Sequence, residues 1–152
     1  MPSEKSRYLK NQPKPPFYHD EIQKHLKSVP RQEVETLLIN FSSRNEALRK
    51  TLIVLTAIAK FNESKDYKML SDAFKYTLSL QGHIDYDKAG QYSNVTYPVV
   101  EFFKNANHDN RLMEILEEVL PILEESSYLL QDEGSWYEAH EELGELLSSA
   151  KL

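Results

Sequence analysis

From Asp20 onward apolar residues recur at helical spacing, and no stretch alternates as a half-buried strand would. A short first helix is expected from about Asp20 to Lys27. Pro30 suits the first turn of a second helix, where Val34, Leu37, Leu38 and Phe41 form an apolar stripe. Ser43 with Glu46 reads as a capping box for a third helix, EALRKTLIVLTAIAKF. Apolar on most sides after Lys50, that helix is expected to be central. Ser64 is expected to cap a fourth helix bearing Tyr67, Leu70, Phe74 and Thr77 on one face, with Gly82 ending it in a left-handed conformation. A fifth helix spans about Asp87 to Lys104 and is kinked or split at Pro98.

Asn107 to Asn110 reads as a turn. The sixth helix turns Leu112, Ile115, Leu116, Val119 and Leu123 inward and bends at Pro121. After a turn at Asp132, Glu133 and Gly134, Ser135 and Glu138 form another capping box. The seventh helix then lines one face with Trp136, Ala139, His140, Leu143 and Leu147. The fold class expected is all-α, with about seven helices in stacked αα-hairpins. These would form a right-handed superhelix like HEAT or tetratricopeptide arrays, or an irregular helical bundle. The organisation expected is an extended or disordered tail over residues 1–18, rich in Pro and with a PxxP pattern in PKPPF, and a single all-α domain over residues 19–152.

Composition narrows the function classes. With no cysteine, the chain has no disulfide, no thiol nucleophile and no cysteine-ligated metal, and a cytoplasmic home is expected. No apolar run approaches the roughly 20 residues of a membrane span, and the first ten residues lack the apolar core of a secretory signal. Residues 101–152 hold 13 acidic and 3 basic residues against a net charge of −6 for the whole chain. That balance disfavours nucleic acid, whose affinity comes from Lys and Arg, and favours a basic partner.

The stretches IQKHLKSVPRQEVETLLINFSSRNEALRKTL, IDYDKAGQYSNVTYPVVEFFKN and LLQDEGSWYEAHEELGELL together resemble the helical region of bacterial SWIM zinc-finger proteins. The likeness covers roughly residues 20–148 and implies a helical scaffold. The SWIM motif itself needs three cysteines and a histidine, so the resemblance carries over no zinc ligands.

Candidate chemistry is sparse. His83, Asp85 and Asp87 alternate in GHIDYDKAGQY, and imidazole with two carboxylates can share a divalent metal that activates water. The competing reading is punctuation: Gly82 stops one helix while Asp85 or Asp87 caps the next. Glu138, Glu141, Glu142 and Glu145 share a helical face. Tyr86, Tyr92, Tyr97 and Trp136 supply the amphipathic rings enriched at interfaces, with Tyr86, Ala89, Ser93 and Tyr97 expected on one face of the fifth helix. Glycine-rich phosphate loops, nucleophile elbows and HExxH helices are absent from the sequence. The function expected is therefore a non-enzymatic protein-interaction module without cofactor. It would bind a protein partner, basic in character, through Tyr86, Tyr92, Tyr97, Trp136, Glu138 and Glu142. A metal-dependent hydrolase at His83, Asp85 and Asp87 is the rival, and a structural homodimer the third reading.

Overall fold

Helical periodicity dictates helices, and helices are what form. The computed structural model describes residues 19–106, 109–130 and 134–150. Among them the fold is all-α, with seven helices of ten residues or more and one isolated parallel bridge, Ile84 to Leu130. The tail expected over residues 1–18 lies outside the described residues. The chain divides into two compact units, Met1–Phe41 and Ser42–Leu152, a division inside the span read from the sequence as one domain.

The first unit contains α1 (His19–Ser28) and most of α2 (Arg31–Ser42). Asp20 and Glu21 stand in the first turn of α1, and His25 and Lys27 in its last, each complementing the helix dipole. Pro30 sits just before α2 rather than inside its first turn, its carbonyl accepting from the backbone N–H of Glu33 and Val34. The stripe of α2 exists, yet no residue of α1 or α2 is buried.

The second unit begins with α3 (Glu46–Ser64) and α4 (Tyr67–Leu78). Short α5 (Tyr86–Ala89) and a 3-10 turn (Gly90–Tyr92) lead into α6 (Ser93–Lys104). The expected fifth helix is thus interrupted before Pro98, at Gly90–Tyr92, while α6 runs through Pro98. Then come α7 (Asn110–Ser127), which runs through Pro121, and α8 (Ser135–Ala150). Helix α3 packs on α4 and α6, α4 on α7, and α8 on both α6 and α7. These contacts describe a two-layer bundle, with α3, α6 and α8 side by side and α4 and α7 behind them.

The core follows the periodicity closely in α7, where Leu112, Ile115, Leu116, Val119 and Leu123 are all buried, and in α8, where Trp136, Ala139, Leu143 and Leu147 are. Each fully buried large apolar side chain contributes about 1.5–3 kcal/mol. Phe61, Phe74, Phe102 and Phe103 meet edge-to-face across α3, α4 and α6, with centroids 5.4–5.8 Å apart. Helix α3 is buried along one face only, through Ala47, Lys50, Val54, Ala57 and Phe61. Its Leu55 falls outside that buried face and stays 48% exposed, so α3 is not packed on most sides as a central helix would be.

The helix ends correct several expectations. Asn45, not Ser43, caps α3 by accepting from the backbone N–H of Leu48, so Glu46 begins the helix and reaches elsewhere. Ser64 is the last residue of α3, and Asp66 caps α4 by accepting from Met69. Between them Lys65 takes the left-handed conformation, at φ 56°, that closes α3. Gly82 does not end α4, which stops at Leu78 with Ser79 extended. The carbonyls there go to a side chain: Lys50 donates to Tyr76, Thr77 and Ser79. A cap of that kind makes a left-handed glycine unnecessary. Glycine with positive φ occurs instead at Gly134 (φ 97°), whose carbonyl accepts the first backbone bond of α8, from Glu138. Ser135 is therefore the first residue of α8 rather than its cap.

Candidate functional site

Polar side chains inside the bundle are engaged in holding it. Lys50 is 2% exposed and lies between three carbonyls and the Glu46 carboxylate, 3.6 Å away. Burial pulls its pKa below the ordinary lysine value, an effect the Glu46 charge partly offsets. With all its donors spent on carbonyls and a carboxylate, the ammonium is a structural cation and not a nucleophile. Glu46 also accepts from the Tyr92 hydroxyl at 3.0 Å. Tyr92 is 5% exposed, and its pKa is raised to about 12, first by burial and then by the Glu46 hydrogen bond and charge. Its ring lies 6.0 Å from that of Trp136, whose indole N–H donates to the Leu78 carbonyl.

Two of the residues expected to bind a partner, Tyr92 and Trp136, are therefore core residues. The 3-10 turn separates α5 from α6, and of the four residues expected on one face Tyr86, Ser93 and Tyr97 are exposed while Ala89 is not. Ala89 is fully buried while Tyr86 and Tyr97 are 68% and 69% exposed. His83 and Asp85 approach within 3.5 Å at the surface, but among the described residues no three His, Asp or Glu side chains gather as metal ligands. Asp85 occupies the cap position of α5 through its backbone, its carbonyl accepting from Lys88 and Ala89, and its side chain makes no capping bond. His140 is a boundary residue, 4.0 Å from Glu124 across α7 and α8.

On the α3–α6–α8 layer a recess lies on each side of α6. Between α6 and α8 a recess of about 260 Å³ gathers Tyr97, Glu138 and Glu142, three residues singled out in the sequence. Lys104 closes part of it by pairing with Glu142 at 3.3 Å. Between α6 and α3, reaching the start of α7, lies a recess of about 650 Å³. Ile58, Phe61, Phe102 and Leu112 make its apolar lining, with Leu55 at its rim and Asn105, Glu101 and Lys65 among its polar groups. Lys65 holds its ammonium 4.7 Å from the Phe61 ring, a cation–π contact set by the left-handed cap.

Asp109 completes the wall of the larger recess and caps α7, accepting from the backbone N–H of Arg111 and Leu112. It also accepts from the Tyr67 hydroxyl at 2.6 Å, a bond that holds its carboxyl below the usual carboxylate range. Arg111 stacks on the Tyr67 ring at 4.1 Å. Pro98 lines the same recess and has no N–H to give the carbonyl four residues back, at Asn94. No motif in the sequence marks this larger recess. Its signal was the excess of apolar residues on α3, where Leu55 falls outside the buried face.

Among the described residues no helix is long and apolar enough to cross a membrane. No family model, curated protein or solved structure matches the chain.

Proposed function

We propose that this protein is a non-catalytic interaction module whose α3–α6–α8 layer receives a segment of another protein along α6. The observation that carries this reading is the 650 Å³ recess between α3 and α6, apolar in its lining and mixed amide and charge at its edge. Apolar anchors of the partner would enter over Ile58, Phe61 and Phe102, displacing water from an otherwise wet hydrophobic surface. The polar groups of the recess suit binding better than chemistry, since Asp109 is committed to its cap and to Tyr67. Glu101 lines both recesses, and Glu138 lies across α6 in the smaller one, so the partner favoured is basic. The excess of acidic residues after position 100 adds to that preference. A cytoplasmic location belongs to the same proposal, in keeping with a cysteine-free chain. The SWIM-like stretches enter it as a helical scaffold alone.

The probe is a designed amphipathic helix of leucine and lysine, titrated into the isotope-labelled chain and followed by NMR. Backbone shifts are expected to concentrate at Leu55, Ile58, Glu101 and Asn105. Leu55→Asp is expected to weaken binding about tenfold or more, roughly 1.4 kcal/mol. Shifts scattered over the surface, or unchanged binding by Leu55→Asp, would remove the groove from consideration.

A further inference from the structure

Proline crowds one place in this chain: PKPPF, residues 13–17, holds three of its seven prolines. Each proline fixes φ at about −65°, so a segment of this composition favours the polyproline conformation and surrenders little freedom on binding. Residues 1–18, which lie outside the described residues, carry four basic side chains against one acidic, the opposite balance to residues 101–152. Polyproline segments dock on aromatic-lined grooves. The larger recess beside α6 has such a lining in Phe61, Phe102 and Pro98, and Asn62 adds an amide for the carbonyls that a polyproline backbone leaves unpaired. Glu101, half-buried in its wall, forms no ion pair among the described residues. Lengths agree as well. Four rises of about 3.1 Å give PKPPF a span of about 12 Å, against about 10 Å between Pro98 and Asn105 at the end of α6.

We infer that residues 13–17 of the chain itself occupy the larger recess, with their prolines over Phe102 and Pro98 and the Lys14 ammonium on the Glu101 carboxylate. This occupant rests on the groove proposed above and makes the chain its own first ligand, which a partner must displace. Opposite charge selects the segment: Lys14 stands between two prolines, and Glu101 is an acid of the recess with no cation of its own. A tethered segment meets its groove at an effective concentration on the order of millimolar, so weak contacts suffice to hold it. Reach allows it. Helices α1 and α2, of 10 and 12 residues, can carry the segment up to roughly 33 Å from Ser42. Ile58, in the recess, lies only roughly 18 Å along α3 from Glu46.

The test places a nitroxide on the full chain at Gln12→Cys, the only cysteine it then holds, and follows nitrogen-15 amides by NMR. The amides of Asn62, Glu101 and Asn105 are expected to lose most of their intensity and to regain it when the nitroxide is reduced. Lys14→Glu or Glu101→Lys alone is expected to abolish the broadening, and the two together to restore it. The designed leucine–lysine helix is expected to bind Lys14→Glu at least about threefold more tightly than wild type, because an occupied recess offers only its open fraction. Intact amides at the recess overturn the inference, and if the designed helix still binds there, the groove stands without this occupant. Broadening at the recess in a chain that ignores the designed helix upholds the segment and removes the groove's role toward another protein. Broadening spread over the acidic surface and unmoved by Glu101→Lys overturns the inference. So does broadening that persists when nitroxide and nitrogen-15 are carried by different copies, since the occupant then comes from a second chain.

Discussion

Lys50 places its ammonium nitrogen 2.8 Å from the carbonyl oxygen of Ser79, and the same nitrogen reaches the carbonyls of Thr77 and Tyr76. A residue of α3 thereby terminates α4. The last carbonyls of a helix have no partner within it, and a buried cation answers several at once.

Replacing this lysine by an apolar residue of similar length should be costly. Lys50→Met leaves buried carbonyls without donors, and each such loss costs about 1–3 kcal/mol. A decrease of at least about 2 kcal/mol in unfolding free energy is expected from urea titration at neutral pH. A variant as stable as wild type would mean that water or relaxation satisfies the end of α4.

Alkaline pH should expose the Tyr92–Glu46 contact. An unfolded tyrosine ionises near 10.0, whereas Tyr92 in the fold does so at about 12. Its contribution is present in full below pH 10.0 and is lost as pH rises toward about 12. The lowered pKa of Lys50 acts in the opposite sense, since the unfolded chain holds that proton more tightly. Comparing wild type with Tyr92→Phe cancels the lysine. The stability gap between the two should change over that window and be flat below it, as read by unfolding at a series of pH values.

At the acid end the corresponding group is Asp109. Its carboxyl is held below the ordinary value by the Tyr67 hydroxyl, so its stabilisation is present at neutral pH and is lost as pH falls through its folded value. Asp109→Asn keeps a capping oxygen but not the charge. It should cost about 0.5–1 kcal/mol at neutral pH and nothing once the wild-type carboxyl is protonated. A penalty independent of pH would assign the effect to the cap alone.

Pro121 lies exposed inside α7 and contributes no N–H to the helix. Pro121→Ala restores a donor and relieves the ring, and proline costs about 3 kcal/mol relative to alanine in a helix interior. Thermal melting should show a gain of about 1 kcal/mol or more, reduced from the intrinsic figure by the entropy that proline removes from the unfolded chain. A loss would mean that α7 has packed around the bend proline imposes.

Periodicity suffices where one force decides. Burial of apolar residues at helical period is local in sequence, so the inward faces of α7 and α8 could be read directly. Periodicity fails where two distant segments compete for the same role. Ser43 and Asn45 are both good caps, and only the path of the chain selects Asn45. Gly82 is a fitting helix stop until Lys50 supplies the carbonyls with another partner, and nothing near Lys50 in sequence announces that. Tyr92 and Tyr97 are alike as residues, yet the 3-10 turn and α6 direct one inward and the other outward. The larger recess depends on the distance between α3 and α6, which no periodicity encodes.

Trp136 is the chain's single tryptophan, 1% exposed, hydrogen-bonded through its indole to the end of α4 and edge-on to Tyr92. The protein therefore carries one tryptophan fluorophore, in the second unit, with a tyrosine close enough to pass it excitation energy. A red shift of its emission signals water reaching the junction of α4 and α8. No tryptophan lies in α1 or α2, so this light reports on the larger unit while experiments on the smaller one proceed.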